Sequence, residues 1–99
     1  MAELFDRLKS AVFAQARLKR AIRKMEQGQA VRAFPMLARL AQKGVVEAQF
    51  RVGRAYIDGA GVPPSRVAAA EWLERAATAD HTEAQAVLAA LYLTGMTGP

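Results

Sequence analysis

Hydrophobic side chains recur every three or four residues over the first quarter of the chain. The positions with this spacing are Leu4, Leu8, Ala11, Leu18, Ile22 and Met25. Residues 2–27 contain neither Gly nor Pro, and Gly28 follows them. An apolar stripe of helical period that ends at a glycine predicts an amphipathic α-helix. One long helix fits this pattern, and so do two helices with a bend near residues 13–16.

Four shorter segments with the same periodicity follow. They predict helices at roughly 30–43, 47–57, 66–78 and 83–94, and they are separated by clusters of Gly, Pro or Asp. The side chains expected to face inward are Ala33, Met36, Leu37, Leu40, Ala41, Ala48, Val52, Ala55, Tyr56, Ala69, Trp72, Leu73, Ala76, Ala77, Ala84, Leu88, Leu91 and Tyr92. Ser65 is a candidate N-cap of the fourth helix, and Asp80 or Thr82 of the fifth. Pro35 should kink the second helix unless it falls in the first turn.

One segment of the chain occurs twice. The segment 47–59 returns, altered, as 83–95, and Glu, Ala, Gln, Tyr and Gly recur at this offset of 36 residues. Self-similarity at such a period is typical of stacked repeats, in which no single unit can close its own core. The sequence therefore predicts an all-α protein: a short right-handed α-solenoid of antiparallel helix pairs, with about five helices, one concave side and a long basic N-terminal helix.

Residues 48–95 resemble a Sel1-like repeat, which is a variant of the tetratricopeptide type with a longer, glycine-rich turn. The positions that carry the resemblance are Ala48, Gly53, Tyr56, Gly59, Gly61, Trp72, Ala76 and Ala77. The resemblance implies a repeat region over 28–99, with one complete unit at about 47–82 and partial units before and after it. Residues 1–27 then form a basic amphipathic helix. The sequence departs from the family pattern at Ser65, Asp80 and Ala89.

The resemblance implies an adaptor or scaffold, of a kind often found in bacteria, that binds another protein on its concave surface. The groove-lining positions expected for a peptide or protein domain are Gln49, Phe50, Arg51, Arg54, Gln85 and Arg32. Phe50 lies off the inward stripe of its helix, so either a groove contact or packing between repeats would suit it. Neither catalysis nor a cofactor is implied.

The composition removes several kinds of chemistry. The chain has no cysteine, which excludes disulfides, thiolate zinc sites and cysteine nucleophiles. His81 is the only histidine; alone in a turn, it is expected to be solvated rather than catalytic. Glu71 and Glu74 are expected to pair with Arg66 or Arg75 on the helix surface. We predict that the protein is not an enzyme and binds no metal.

The net charge of +5 lies entirely within residues 1–25. The basic side chains expected to contact an anionic partner are Arg17, Arg20, Arg23 and Lys24. A solvated helix face would explain them, as would an anionic membrane surface or an acidic partner. Nucleic acid is disfavoured, because no aromatic residues alternate with these charges. We expect a cytoplasmic protein, either free or peripheral to the inner face of a membrane.

The last predicted helix leaves its apolar face uncovered where the sequence stops. Leu88, Leu91 and Tyr92 form this face. The sequence therefore leaves two further alternatives open, a homo-oligomer and continuation in a longer array.

Overall fold

A computed structural model of the chain describes residues 1–95. Within that range the chain forms five α-helices and no strand, so the predicted all-α fold is confirmed. The helices are α1 (Ala2–Glu26), α2 (Ala30–Gln42), α3 (Val46–Asp58), α4 (Arg66–Thr78) and α5 (Thr82–Leu93). Each helix packs mainly on the next one along the chain. This serial packing gives an elongated body of 50 × 29 × 17 Å, as expected of a short α-solenoid.

The first half of α1 extends beyond the rest of the solenoid. Leu18 and Ala21, in its second half, are buried against α2 and α3. The large apolar side chains of the first half are each at least 55% exposed; they are Met1, Leu4, Phe5, Leu8, Val12 and Phe13. Leu4, Leu8 and Ala11 belong to the predicted apolar stripe, but no other helix covers this part of it, and all three are exposed. The physical reason is length: α1 has 25 residues and α2 has 13, so α2 ends before it reaches them.

The turns that end α2 and α4 have the same backbone geometry. After α2, the amide of Gly44 donates to the carbonyl of Ala41 at 3.0 Å. After α4, the amide of Asp80 donates to the carbonyl of Ala77 at 3.0 Å. Both turn residues are left-handed, with φ of +94° at Gly44 and +67° at Asp80. Aspartate is one of the few residues other than glycine that adopt this conformation readily, so the departure at Asp80 preserves the turn.

The predicted N-cap of α4 is observed, whereas the N-cap of α5 is a different residue from those predicted. The Ser65 hydroxyl accepts a hydrogen bond from the amide of Ala68 at 3.2 Å, so it caps α4 as predicted. At α5 the cap is neither Asp80 nor Thr82. The Nδ1 atom of His81 accepts the bond from the amide of Ala84 at 3.0 Å. A histidine ring nitrogen thus takes the place of the usual hydroxyl or carboxylate oxygen.

Pro35 lies in the interior of α2, and the helix continues through it. A proline at this position removes the hydrogen bond to the carbonyl of Val31, four residues earlier. Val31 is 76% exposed and Pro35 is also exposed. The carbonyl left without its helical partner therefore lies on the water-facing side of α2, where its desolvation cost is small.

Two apolar clusters form the core. The first joins α1, α2 and α3, and the second joins α3, α4 and α5. Tyr56 packs against both clusters and meets the ring of Phe34 edge to face, with centroids 5.4 Å apart. Trp72 of α4 packs against the first cluster, and the Arg75 guanidinium lies 4.6 Å from its ring centroid. Tyr56 and Trp72 therefore face inward, as predicted, and fill the spaces between successive helix pairs.

The repeat-equivalent tyrosine has a different environment. Tyr92 of α5 corresponds to Tyr56 of α3, yet it is 54% exposed, so its predicted inward position is wrong. Leu91, beside it, is buried as predicted. The difference arises because α4 packs on α3, which carries Tyr56, whereas within residues 1–95 no helix follows α5.

The long turn between α3 and α4 folds back onto the start of α2. A Cβ atom placed on Gly61 would overlap the carbonyl oxygen of Ala30, and Gly61 has φ of +78°. Only glycine combines this left-handed backbone with so close an approach to another backbone. The turn thereby fixes the second helix pair against the first.

Substitution of Gly61 should be far more costly than an equivalent change in open space. Gly28 has the same φ of +78°, but a Cβ there would meet nothing within 4 Å. Gly28→Ala should lower the free energy of unfolding by about 1–2 kcal/mol through backbone strain alone. Gly61→Ala should cost about 1–3 kcal/mol more, because the neighbouring backbone must also move. Urea unfolding of both variants measures the difference; equal losses would contradict the close approach.

Candidate binding groove

A groove runs along one side of the solenoid, and α1, α3 and α5 all contribute residues to it. It has a volume of about 280 Å³. We call this feature the groove; it is lined by Ile22, Met25, Leu37, Phe50, Arg51, Arg54, Ala55, Asp58, Ala60 and Glu83. Its floor is apolar, and its charged residues include two arginines and two carboxylates.

The structure brings three of the six predicted groove residues together. Phe50, Arg51 and Arg54 all line the groove. Phe50 is only 4% exposed, however, and belongs to the second core cluster. Of the two alternatives for Phe50, the structure therefore supports packing between repeats. Arg54 is exposed, whereas Arg51 is partly covered.

Arg32, Gln49 and Gln85 do not line the groove. Arg32 is exposed near the start of α2, beside the turn that joins α1 to α2. Gln49 is buried and Gln85 is exposed. These three predicted positions therefore lie outside this groove.

The two glutamines form equivalent hydrogen bonds between helices. The Nε2 atom of Gln49 donates to the carbonyl of Ala41 at 3.2 Å. The Nε2 atom of Gln85 donates to the carbonyl of Ala77 at 3.1 Å. Each bond ties the start of α3 or α5 to the end of the preceding helix. The recurring glutamine of Glu-Ala-Gln therefore forms the same bond between helices in both units.

Sequence reasoning missed seven of the ten residues that line the groove: Ile22, Met25, Leu37, Ala55, Asp58, Ala60 and Glu83. Ile22 and Met25 were assigned to the apolar stripe of α1, and only the position of α3 shows that they also border the groove. Asp58 lies four residues after Arg54, so helical spacing could have placed both on one face. Glu83 is the repeat equivalent of Glu47.

Glu47 is the centre of a polar cluster beside the groove. Its Oε2 atom accepts from Nε of Arg51 at 2.8 Å, and its Oε1 atom lies 2.8 Å from Nε2 of His81. The His81 ring stacks on Phe50, with centroids 4.5 Å apart and planes at 23°. His81 is therefore not the solvated turn residue that we expected. It links the first turn of α3 to the start of α5.

Opposing influences act on the pKa of Glu47. Burial is the largest single one and raises the pKa. The hydrogen bonds from His81 and Arg51, together with the attraction of both groups, outweigh burial, so the pKa of Glu47 is lowered from its ordinary value of 4.5. The carboxylate form is therefore the one that the fold stabilises.

The surface pairs expected for Glu71 and Glu74 are absent from the described residues. In residues 1–95, both ion pairs involve Glu47, with Arg51 and with His81. Arg75 lies over the Trp72 ring instead.

The other predicted site residues are distributed as follows. Arg17 and Arg20 lie on the side of α1 that faces the end of α2, and Arg23 and Lys24 are in the last turn of α1. Of the motif positions, Ala48, Gly53 and Ala76 are buried.

Within residues 1–95, no three His, Asp or Glu side chains converge as a metal site requires. None of the helices in this range has the length and apolar character needed to cross a bilayer.

Comparison with known proteins gave one result. The family model of the Sel1 repeat matches residues 46–81 and 82–99, which together make up more than half of the chain. No curated protein and no solved structure matched the chain.

The two glutamine bonds should differ in their contribution to stability. Gln49→Ala removes a bond in a buried environment and should lower the free energy of unfolding by about 1–2 kcal/mol. Gln85→Ala removes the equivalent bond at the surface, where water replaces it, and should cost less than about 0.5 kcal/mol. Chemical denaturation of the two variants provides a matched comparison. A larger loss for Gln85→Ala would contradict the structural role assigned to Gln49.

The Glu47 cluster should make stability depend on acidic pH. Because its pKa is lowered in the folded state, Glu47 stabilises the fold above pH 4.5, and this contribution is lost as the pH falls through the lowered value. Glu47→Gln should therefore be less stable than the unmodified chain at neutral pH, by about 1 kcal/mol. The difference in the free energy of unfolding between Glu47→Gln and the unmodified chain should disappear in acid. Glu71→Gln, at an exposed position outside both ion pairs, is the control; a gap that stays constant with pH would refute the assignment.

Proposed function

Because this chain belongs to the Sel1 repeat family, whose repeats generally mediate protein–protein interaction, we propose that it is an adaptor or scaffold that binds a peptide or protein domain in the groove. The family is a non-enzymatic repeat scaffold family. Binding to another protein is therefore the general role, and the groove is our proposal for the place where it occurs.

The observation that carries this proposal is the lining of the groove. Ile22 and Met25 of α1 lie on the same groove as Arg54 of α3 and Glu83 of α5. Protein-binding sites typically combine an apolar centre with a polar rim, and a few central contacts supply most of the binding energy. The groove has an apolar centre and a polar rim, and its lining residues come from successive helix pairs.

The charges of the groove restrict its occupant. Arg51 is held by Glu47, whereas Arg54 takes part in neither ion pair found in residues 1–95. Asp58 and Glu83 add negative charge to the same lining. An occupant that fits should therefore place an apolar side chain on the floor and carry charges of both signs around it.

Charge reversal at Arg54 tests the groove. Arg54→Glu should weaken binding of the natural partner by ~10-fold, because it replaces an attraction in the lining with a repulsion. Arg66→Glu makes the same change at an exposed position at the start of α4, outside the groove, and should leave the affinity within ~2-fold.

The partner can be identified and located in one experiment. A photo-reactive amino acid at position 54 should crosslink the partner in the native cell, whereas one at position 66 should not. The affinity of the partner for the two charge-reversal variants is then measured with purified components. Equal crosslinking at both positions, or equal affinity of both variants, would rule out the groove as the site.

A further inference from the structure

A second concave feature lies between α1 and α2. It is a cleft of about 410 Å³. We call it the basic cleft; it is lined by Arg17, Arg20, Met36, Arg39, Leu40 and Lys43. It shares no lining residue with the groove. Four of its six residues are cationic, and none carries a carboxylate.

The fold itself creates this concentration of positive charge. Arg17 and Arg20 belong to α1, while Arg39 and Lys43 lie at the end of α2 and at its C-cap. The two helices are antiparallel neighbours, so residues far apart in the sequence meet here. In the described part of the chain none of the four takes part in an ion pair. Their mutual repulsion is therefore not offset by a carboxylate of the chain itself.

The floor of the basic cleft is apolar. Leu40 is buried and Met36 is partly buried, and both line the cleft among the cations. A ligand that complements this surface carries several negative charges and also an apolar group of modest size. Arginine can bind a carboxylate, as it can a phosphate, through two parallel hydrogen bonds, so the side chains of an acidic peptide are suitable partners for it.

The recessed floor of the basic cleft disfavours a bilayer as the occupant. Leu40 is only 3% exposed and lies among the four cations. A broad bilayer surface contacts the projecting side chains around a cleft, whereas a single peptide segment can reach its floor. Nucleic acid is also disfavoured, because the lining includes no aromatic ring on which a base could stack.

We propose that the basic cleft is a second binding site, which takes an acidic segment of a protein partner. Carboxylates of the segment pair with Arg17, Arg20, Arg39 and Lys43, and one apolar side chain of the segment contacts Met36 and Leu40. The site is independent of the groove, so one chain can hold two protein segments at the same time.

A labelled peptide of alternating glutamate and leucine serves as the probe, and its binding to the full chain is measured by fluorescence anisotropy at low ionic strength. The double variant Arg17→Glu/Arg39→Glu should lower the affinity by at least ~10-fold. The double variant Arg7→Glu/Lys19→Glu changes the net charge by the same amount at exposed positions of α1 outside the cleft. It should lower the affinity by less than ~3-fold.

The outcomes separate a specific site from general attraction between opposite charges. Equal losses in the two double variants would overturn the proposal, as would no binding of the peptide by the unmodified chain. Arg17→Gln/Arg39→Gln gives a second measure with a smaller change of charge, and circular dichroism checks that every variant is folded. The single variant Met36→Ser should also weaken binding of the peptide, because it removes an apolar contact at the floor. An affinity equal to that of the unmodified chain would overturn the assigned role of the floor.

Two other probes test the competing occupants. Vesicles of phosphatidylcholine and phosphatidylserine, and a short DNA duplex, are titrated against the unmodified chain and the same four variants. Weaker binding of both than of the peptide, with no selective loss in Arg17→Glu/Arg39→Glu, is the expected result. Tighter binding of either one, lost selectively in that variant, would assign the cleft to that class of ligand and overturn the proposal.

Discussion

The close approach of neighbouring helices depends on alanine and glycine at their contacts. Ala48, Ala69 and Ala76 are fully buried, and a Cβ atom on Gly53 would lie 2.7 Å from Cγ of Leu73. Small side chains of this kind let helix axes approach to the lower end of the usual ~8–10 Å range. The groove depends on this constraint, because α3 supplies five of its lining residues and larger contacts would move α3 away from α4. The hydrogen bonds that Gln49 and Gln85 form between helices also require this close approach.

The helices and their order could be predicted from the sequence because local signals determine them. Glycines and prolines mark the ends, and the alanine-rich stripes mark the buried faces. Such signals report which side of a helix is apolar, but not whether another element lies opposite. Leu4 and Leu8 show this limit, since they continue the stripe of Leu18 past the end of α2. Tyr92 shows it at the other end of the chain.

The candidate site was less predictable, because its residues acquire their roles through tertiary contacts. The recurrence of Gln49 and Gln85 was visible, but the carbonyl groups that they bind are placed by the turns after α2 and α4. His81 is a stronger example. A histidine in a turn is usually solvated, and only the folded chain brings it against Glu47 and Phe50. Arg51 and Arg54 were found because they follow simple helical spacing on α3.

The matching turns at Gly44 and Asp80 have a consequence for the shape of the whole molecule. A left-handed turn recurs with glycine at position 44 and aspartate at position 80, and neither residue lines the groove. The direction in which the chain enters α3 and α5 is therefore set outside the groove lining. An exposed lining position such as Arg54 can change its chemistry and leave these turns unaltered.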